Sequence, residues 1–264
     1  DGEATVGDVH PRHPSRRAVG FHGVTNTPRQ QPEQQAPPAQ KLQVRYAKRG
    51  RARFTSHRDF HRALERALRR AGVPMAYSSG YNPHQRISFS NASPTGAATE
   101  AEYLELALRE VVDPDAVRAA LDAALPEGMD ILEVVPSPPG GIADRLNASI
   151  WEIRVAGLPR AMLEQAVAAL LAAESVEVER MTKTGMRTFD ARAAIIDLTV
   201  TADDTLRLVS LHGTPLVRPD DVLQALARAD ESFAPADPPL LTRLAQGDWD
   251  GTRIVGPFEP RPTT

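Results

Sequence analysis

Lys41–Gly96 reads KLQVRYAKRGRARFTSHRDFHRALERALRRAGVPMAYSSGYNPHQRISFSNASPTG. The helix in it is legible residue by residue. Ser56 is an N-cap candidate, and Asp59 three positions on resembles the acidic partner of a capping box. Phe60, Ala63, Leu64, Ala67, Leu68 and Ala71 fall at helical spacing on one apolar face. Gly72 and Pro74 stop the run. The opposite face carries Arg58, Arg62, Arg66, Arg69 and Arg70. A loop follows, Tyr77-Ser-Ser-Gly80-Tyr81-Asn82-Pro83-His84-Gln85-Arg86, which sets two phenols, an imidazole and a guanidinium among turn-forming residues.

Working outward, Leu42–Tyr46 alternates apolar and polar residues, the period of a strand. Ala52–Phe54 is expected to extend that strand or pair back on it. Short strands are expected at Met75–Ser78 and Ile87–Ser90, and a longer one at Tyr103–Leu108. Asp113 caps a second helix with Pro114 at its first position. Met129–Val135 returns as a strand. The order β-α-β-β-α-β predicts a ferredoxin-like split βαβ unit over 41–136. Pro136-Ser-Pro-Pro-Gly-Gly141 breaks the pattern.

A second α+β unit is expected over 146–258. Strands are read at Ile150–Val155, Ser175–Met181, Ile195–Val200 and Leu206–Leu211. Helices are read at Pro159–Ala173 and from Pro219, with Arg253–Val255 as the last strand. The fold class is therefore α+β, two ferredoxin-like units in tandem. Residues 1–40 are rich in Pro, Gln, His and Arg and lack a hydrophobic period. They read as a disordered tail.

Composition narrows the chemistry. The chain has 264 residues, a net charge of −3 and no cysteine. Disulfides, thiol catalysis and cysteine-held zinc or iron–sulfur clusters are excluded. The basic residues concentrate instead of spreading. From Lys41 to Arg86 the only acids are Asp59 and Glu65, which suggests a local anion-binding surface. No run reaches the ~18 apolar residues of a membrane span. A cytoplasmic protein with no membrane partner is expected.

The residues expected to meet nucleic acid are Lys48, Arg49, Arg51, Arg58, Arg62, Arg66, Arg69, Arg70, Tyr77, Tyr81, His84 and Arg86. Arginines suit phosphates, and the phenols offer stacking surfaces. A solvated helix face is the plainer reading, and Glu65 with Arg69 at i,i+4 fits it. His57, His61 and His84 do not make a convincing metal set. Arg58 stands where the helical metalloprotease pattern needs Glu, and arginines surround the site. No cofactor is expected. His57 or His84 remains an alternative general base for a metal-independent endoribonuclease. Asp190 and Arg192 read as a structural pair or a second site. No phosphate-binding glycine loop and no Gly-x-Ser-x-Gly elbow is present.

Several of these pieces together resemble a bacterial family. They are Arg53–Ser56, the arginine-rich helix, Tyr77-Ser-x-Gly-Tyr-x-Pro-His, Ile87-Ser-Phe and Ala101-Glu-Tyr-Leu-Glu. The family has unknown function and is called radical-SAM-associated. Its members stand alone or extend cobalamin-binding radical-SAM proteins. The resemblance covers about Lys41 to Trp249. Gln85 stands where a proline is expected, Tyr81 where Phe is usual and Arg86 where Lys is usual. The resemblance implies a radical-SAM partner. Without cysteine this chain is not the radical enzyme itself, so the expected role is an RNA-binding companion, more a presenter of RNA than a catalyst. A pure protein-interaction adaptor is the third alternative.

Overall fold

The computed structural model describes residues 34–183 and 185–260. Asp1–Glu33 of the expected tail lies outside them. The described end of that segment is tied down: Ala39 N donates to Leu108 O at 2.8 Å, and the Gln40 amide reaches Val112 O at 3.1 Å.

The fold is mixed α/β. In chain order the first half holds β1 (Gln40–Lys48), α1 (His57–Arg70), β2 (Ile87–Ser90), β3 (Ala98–Leu108), α2 (Pro114–Ala124) and β4 (Met129–Pro136). The second holds β5 (Ala148–Arg154), α3 (Arg160–Ala172), β6 (Glu177–Thr182), β7 (Gly185–Asp190), β8 (Ile195–Ala202), β9 (Thr205–Leu211), α4 (Pro219–Ala229), β10 (Leu240–Trp249) and β11 (Ile254–Val255). One nine-stranded sheet runs β4-β1-β3-β10-β5-β9-β8, with β2 on β3 and β11 on β10. Within each half every pairing in this sheet is antiparallel. The halves join through one parallel contact, Thr242 and Arg243 of β10 beside Ala98 and Thr99 of β3.

Local chemistry explains the helices. Ser56 Oγ accepts from Asp59 N at 3.2 Å and caps α1, and Asp113 caps α2 by accepting from Asp115 N. The expected apolar stripe of α1 is buried: Phe60, Ala63, Leu64, Ala67 and Leu68 pack on Leu42, Val44, Leu104 and Leu106. The α3 and α4 faces pack on Trp151, Ile153, Leu206 and Leu208 in a second cluster. Trp151 is in register with Arg243, which reaches Glu102; Glu102 in turn is in register with Tyr46 of the first cluster. The two helical layers therefore cover one side of the sheet.

Four readings change. Gly50–Phe54 is a 3-10 turn and not a continuation of β1, because Arg49 O already accepts from Ala52 N. Met75 and Tyr77 form only isolated bridges, to Leu108 and Gln85, and no strand. Gly185–Asp190, which carried no strand assignment, pairs with β6 as a separate two-stranded sheet. Leu240–Trp249, which carried no strand assignment, is a central strand.

β10 tolerates little addition at Gly247. A Cβ there would sit 2.1 Å from Val255 O. Gly247→Ala is expected to destabilise the protein by about 1–3 kcal/mol. Thermal denaturation checks it, and an unchanged melting temperature would refute the close approach.

Candidate nucleic-acid interface

The basic residues divide into three groups by what surrounds them. Arg58, Arg66 and Arg69 on α1 are exposed and take part in no ion pair among the described residues. Arg62 is also exposed, with Asp59 Oδ1 4.0 Å from its guanidinium, a distance that holds it weakly. Arg51 and Arg86 are exposed and take part in no ion pair among the described residues either. Arg70 donates to Ala124 O at 3.2 Å and so ties α1 to the end of α2.

Lys48 and Arg49 correct the expectation of a continuous basic strip. Lys48 is buried because its strand position faces inward. Desolvation pulls its ammonium pKa down, while Glu102 works against that shift. Arg49 donates to Glu100 and, at 2.7 Å, to Asp130. The Glu100 bond holds the guanidinium pKa above its ordinary value. Neither is a free surface cation.

The loop after α1 is pinned by His84. Ser78 Oγ lies 3.0 Å from His84 Nδ1 and accepts from His84 N, and Ser78 N donates to His84 O. Gln85 is buried at the position where a proline is expected, and Tyr77 bridges it. Tyr81 is 67% exposed at the tip and Tyr77 lies on the same surface loop. Beyond the loop, Ile87 and Phe89 face the helices, so Arg86 and Ser88 face the other side of the sheet. His84, Arg86, Ser88, Lys41 and Glu105 line a polar groove there. The sequence-predicted site is thus split. The α1 arginines lie on the helical layer, His84 and Arg86 on the reverse face, and Tyr77 and Tyr81 at the edge.

His57 and His84 do not share a site. His57 packs edge-on against Phe89, its ring 4.6 Å away, with His61 on the same phenyl at 5.3 Å. Burial, then the nearby His61, hold the His57 pKa below the usual imidazole value. Among the described residues no three His, Cys, Asp or Glu side chains converge on a metal position. Asp190 and Arg192 serve structure: Asp190 Oδ1 accepts from Val176 N and Arg192 N, and the Arg192 guanidinium reaches Ile195 O and Leu171 O.

Two features lay outside the sequence reading. Phe54 is 60% exposed beside Arg51, with the Arg53 guanidinium over its ring at 4.6 Å. Its place in an arginine run was the available signal. The other feature is a cavity of about 280 Å³ above the join of the halves. Its floor is Ser149, Trp151, Ser210, Arg243 and Gln246. Its walls are Asn91, Ala92, Pro94 and Thr95, the β9–α4 loop with His212, and Pro219. His212 Nδ1 donates to Leu146 O at 2.7 Å, so Nε2 accepts from Ser149 Oγ at 2.7 Å. Burial lowers the His212 pKa, which favours this neutral tautomer. No sequence pattern marks these residues, which come from four separate segments.

No helix among the described residues is long and apolar enough to cross a membrane. No curated protein matches the chain. Residues 41–219 match a family described as "Uncharacterized protein conserved in bacteria (DUF2344)". That span takes in α1, the Tyr77–Arg86 loop and most of the second half, well over half of the chain, and the protein belongs to this bacterial family.

Proposed function

We propose that this protein is an RNA-binding companion of a cobalamin-type radical-SAM enzyme and presents RNA for modification or maturation. The observation that carries RNA is the outer face of α1. Arg58, Arg66 and Arg69 are exposed there without ion pairs among the described residues, whereas Arg45, Arg154, Arg160, Arg207 and Arg253 each lie beside a carboxylate. Unpaired guanidiniums along one helix face suit a phosphate backbone. Arg51 and Phe54, exposed in the turn that precedes α1, add a cation and a ring for base stacking. The sheet itself does not serve as the stacking platform, because Tyr103 is buried beneath Phe258. The enzyme partner rests on the resemblance carried by the Tyr77–His84 motif.

We read the halves 41–136 and 146–258 as two ferredoxin-like units. Their strand orders, β4-β1-β3-β2 and β10-β5-β9-β8, support this, with β6 and β7 as an insertion in the second. The reading implies a cytoplasmic complex, where RNA and the enzyme meet.

The test is a salt titration of affinity for bulk tRNA and a mixed-sequence single strand. Arg66→Ala is expected to weaken binding to both and to make the salt slope shallower by roughly one unit or less. Tyr81→Ala is expected to cost about 1–3 kcal/mol of binding with the slope nearly unchanged, and Tyr81→Phe much less. Identical affinities and slopes for all variants, or no binding below micromolar at physiological salt, would replace this reading with a protein-interaction adaptor.

A further inference from the structure

The cavity above the β3–β10 join is separate from the α1 face, and its chemistry points to a ligand of its own. Two side chains in its lining carry positive charge, Arg218 and Arg243, and no Asp or Glu lines it. Arg243 is 4% exposed, and guanidinium is charged at any ordinary pH. Glu102 is the carboxylate within ion-pair reach of Arg243, at 3.5 Å. It is not part of the lining, and it also offsets Lys48. Glu102 therefore faces two buried cations.

The lining also carries polar groups without partners among the described residues. Arg243 donates through Nη1 to Asn91 O at 2.7 Å, but its Nε has no acceptor. Gln246 donates to Ala101 O at 3.0 Å, but its Oε1 has no donor. Buried polar atoms left unpaired are costly, so a molecule that supplies an acceptor to the Arg243 guanidinium gains from binding here. The remaining lining is apolar: Trp151, Leu216, Val217 and Pro219. The α4 N-terminus adds no free anion site, because Asp221 already caps Arg218 N and pairs with Arg180.

We propose that this cavity binds a small organic anion, a carboxylate or phosphate monoester on an apolar body, with its oxyanion at Arg243. The volume of about 280 Å³ suits one ring-sized body with its charged group. His212 Nδ1 is committed to Leu146 O and the Ser149 hydroxyl proton to His212 Nε2, which leaves the oxyanion to Arg243.

Calorimetric titration of the full chain tests this with benzoate, phenyl phosphate, inorganic phosphate and neutral benzyl alcohol. Benzoate or phenyl phosphate is expected to bind at one site per chain, and benzyl alcohol about tenfold more weakly or worse. The tighter of the two anions identifies the oxyanion. Arg243→Gln is expected to weaken binding about tenfold or more. Because Arg243 also supports the fold, Ala92→Trp provides a second arm. Ala92 is exposed on the wall, and a bulky ring there is expected to block binding with the melting temperature unchanged. The proposal fails if no anion binds at millimolar concentration, or if benzyl alcohol or inorganic phosphate binds as tightly as phenyl phosphate. It also fails if Ala92→Trp folds and binds like the parent.

Discussion

Glu102→Ala is expected to lower stability by about 3–5 kcal/mol, the cost of leaving buried cations uncompensated. Glu102 is 1% exposed. Its Oε2 accepts from Ser93 N at 3.1 Å, and its Oε1 lies 3.5 Å from Arg243 Nη1, within ion-pair reach but outside hydrogen-bond geometry. Arg243 also stacks over Trp151 at 4.7 Å, so one carboxylate on β3 steadies a cation on β10 that rests on β5. Glu102 thus links the halves at their parallel join. Urea denaturation measures the loss. Replacing both partners with apolar residues, Glu102→Leu with Arg243→Met, is expected to recover most of it, because no buried charge of the pair is then stranded. A single variant within about 0.5 kcal/mol of the parent, the size of an ordinary surface change, would show that the pair does not hold the halves together.

Phe60→Ala is expected to cost about 3–5 kcal/mol. Phe60 is 2% exposed and stacks on Tyr46 with centroids 4.3 Å apart and planes 9° from parallel. Phe89 meets its edge at 6.1 Å. Truncation leaves a cavity between α1 and the sheet and loosens the segment that presents Arg58, Arg62 and Arg66. Denaturation should therefore report a large loss. RNA affinity at low temperature, where the variant remains folded, should fall less than for Arg66→Ala. A loss of stability below about 1 kcal/mol would mean that α1 is not anchored by this ring.

The first half was largely legible because its signals are local. A cap, a periodic stripe and a stop define α1 within sixteen residues, Ser56 to Ala71. Asp113 and Pro114 do the same for α2. Alternation marked β1, and the acid-poor stretch marked the exposed arginines. Where the structure departs, tertiary contacts override local character. Lys48 and Arg49 look like surface cations, yet Glu102 lies near the first and Glu100 and Asp130 bind the second, all brought close by folding.

β10 shows most clearly why the rest was hidden. Its inward positions carry Arg243 and Gln246, while Leu240 and Leu244 point outward, 43% and 41% exposed. Read alone, the segment shows no clean alternation, since Leu241 is buried with Arg243 and Gln246 while Leu240 and Leu244 are exposed, and Gly247 weakens it further. It is a strand because β3 and β5 supply its hydrogen bonds and Glu102 offsets its buried charge. None of these partners is near it in sequence. The sequence by itself determined the helices, the strands β1, β2 and β4 of the first half and the basic face, since capping, periodicity and charge act over a few residues. Only the tertiary structure decided that the two halves share one sheet, that the predicted site divides between its two sides, and that a cationic cavity lies at the join. Each of these depends on contacts between distant segments, whose energies no local pattern encodes.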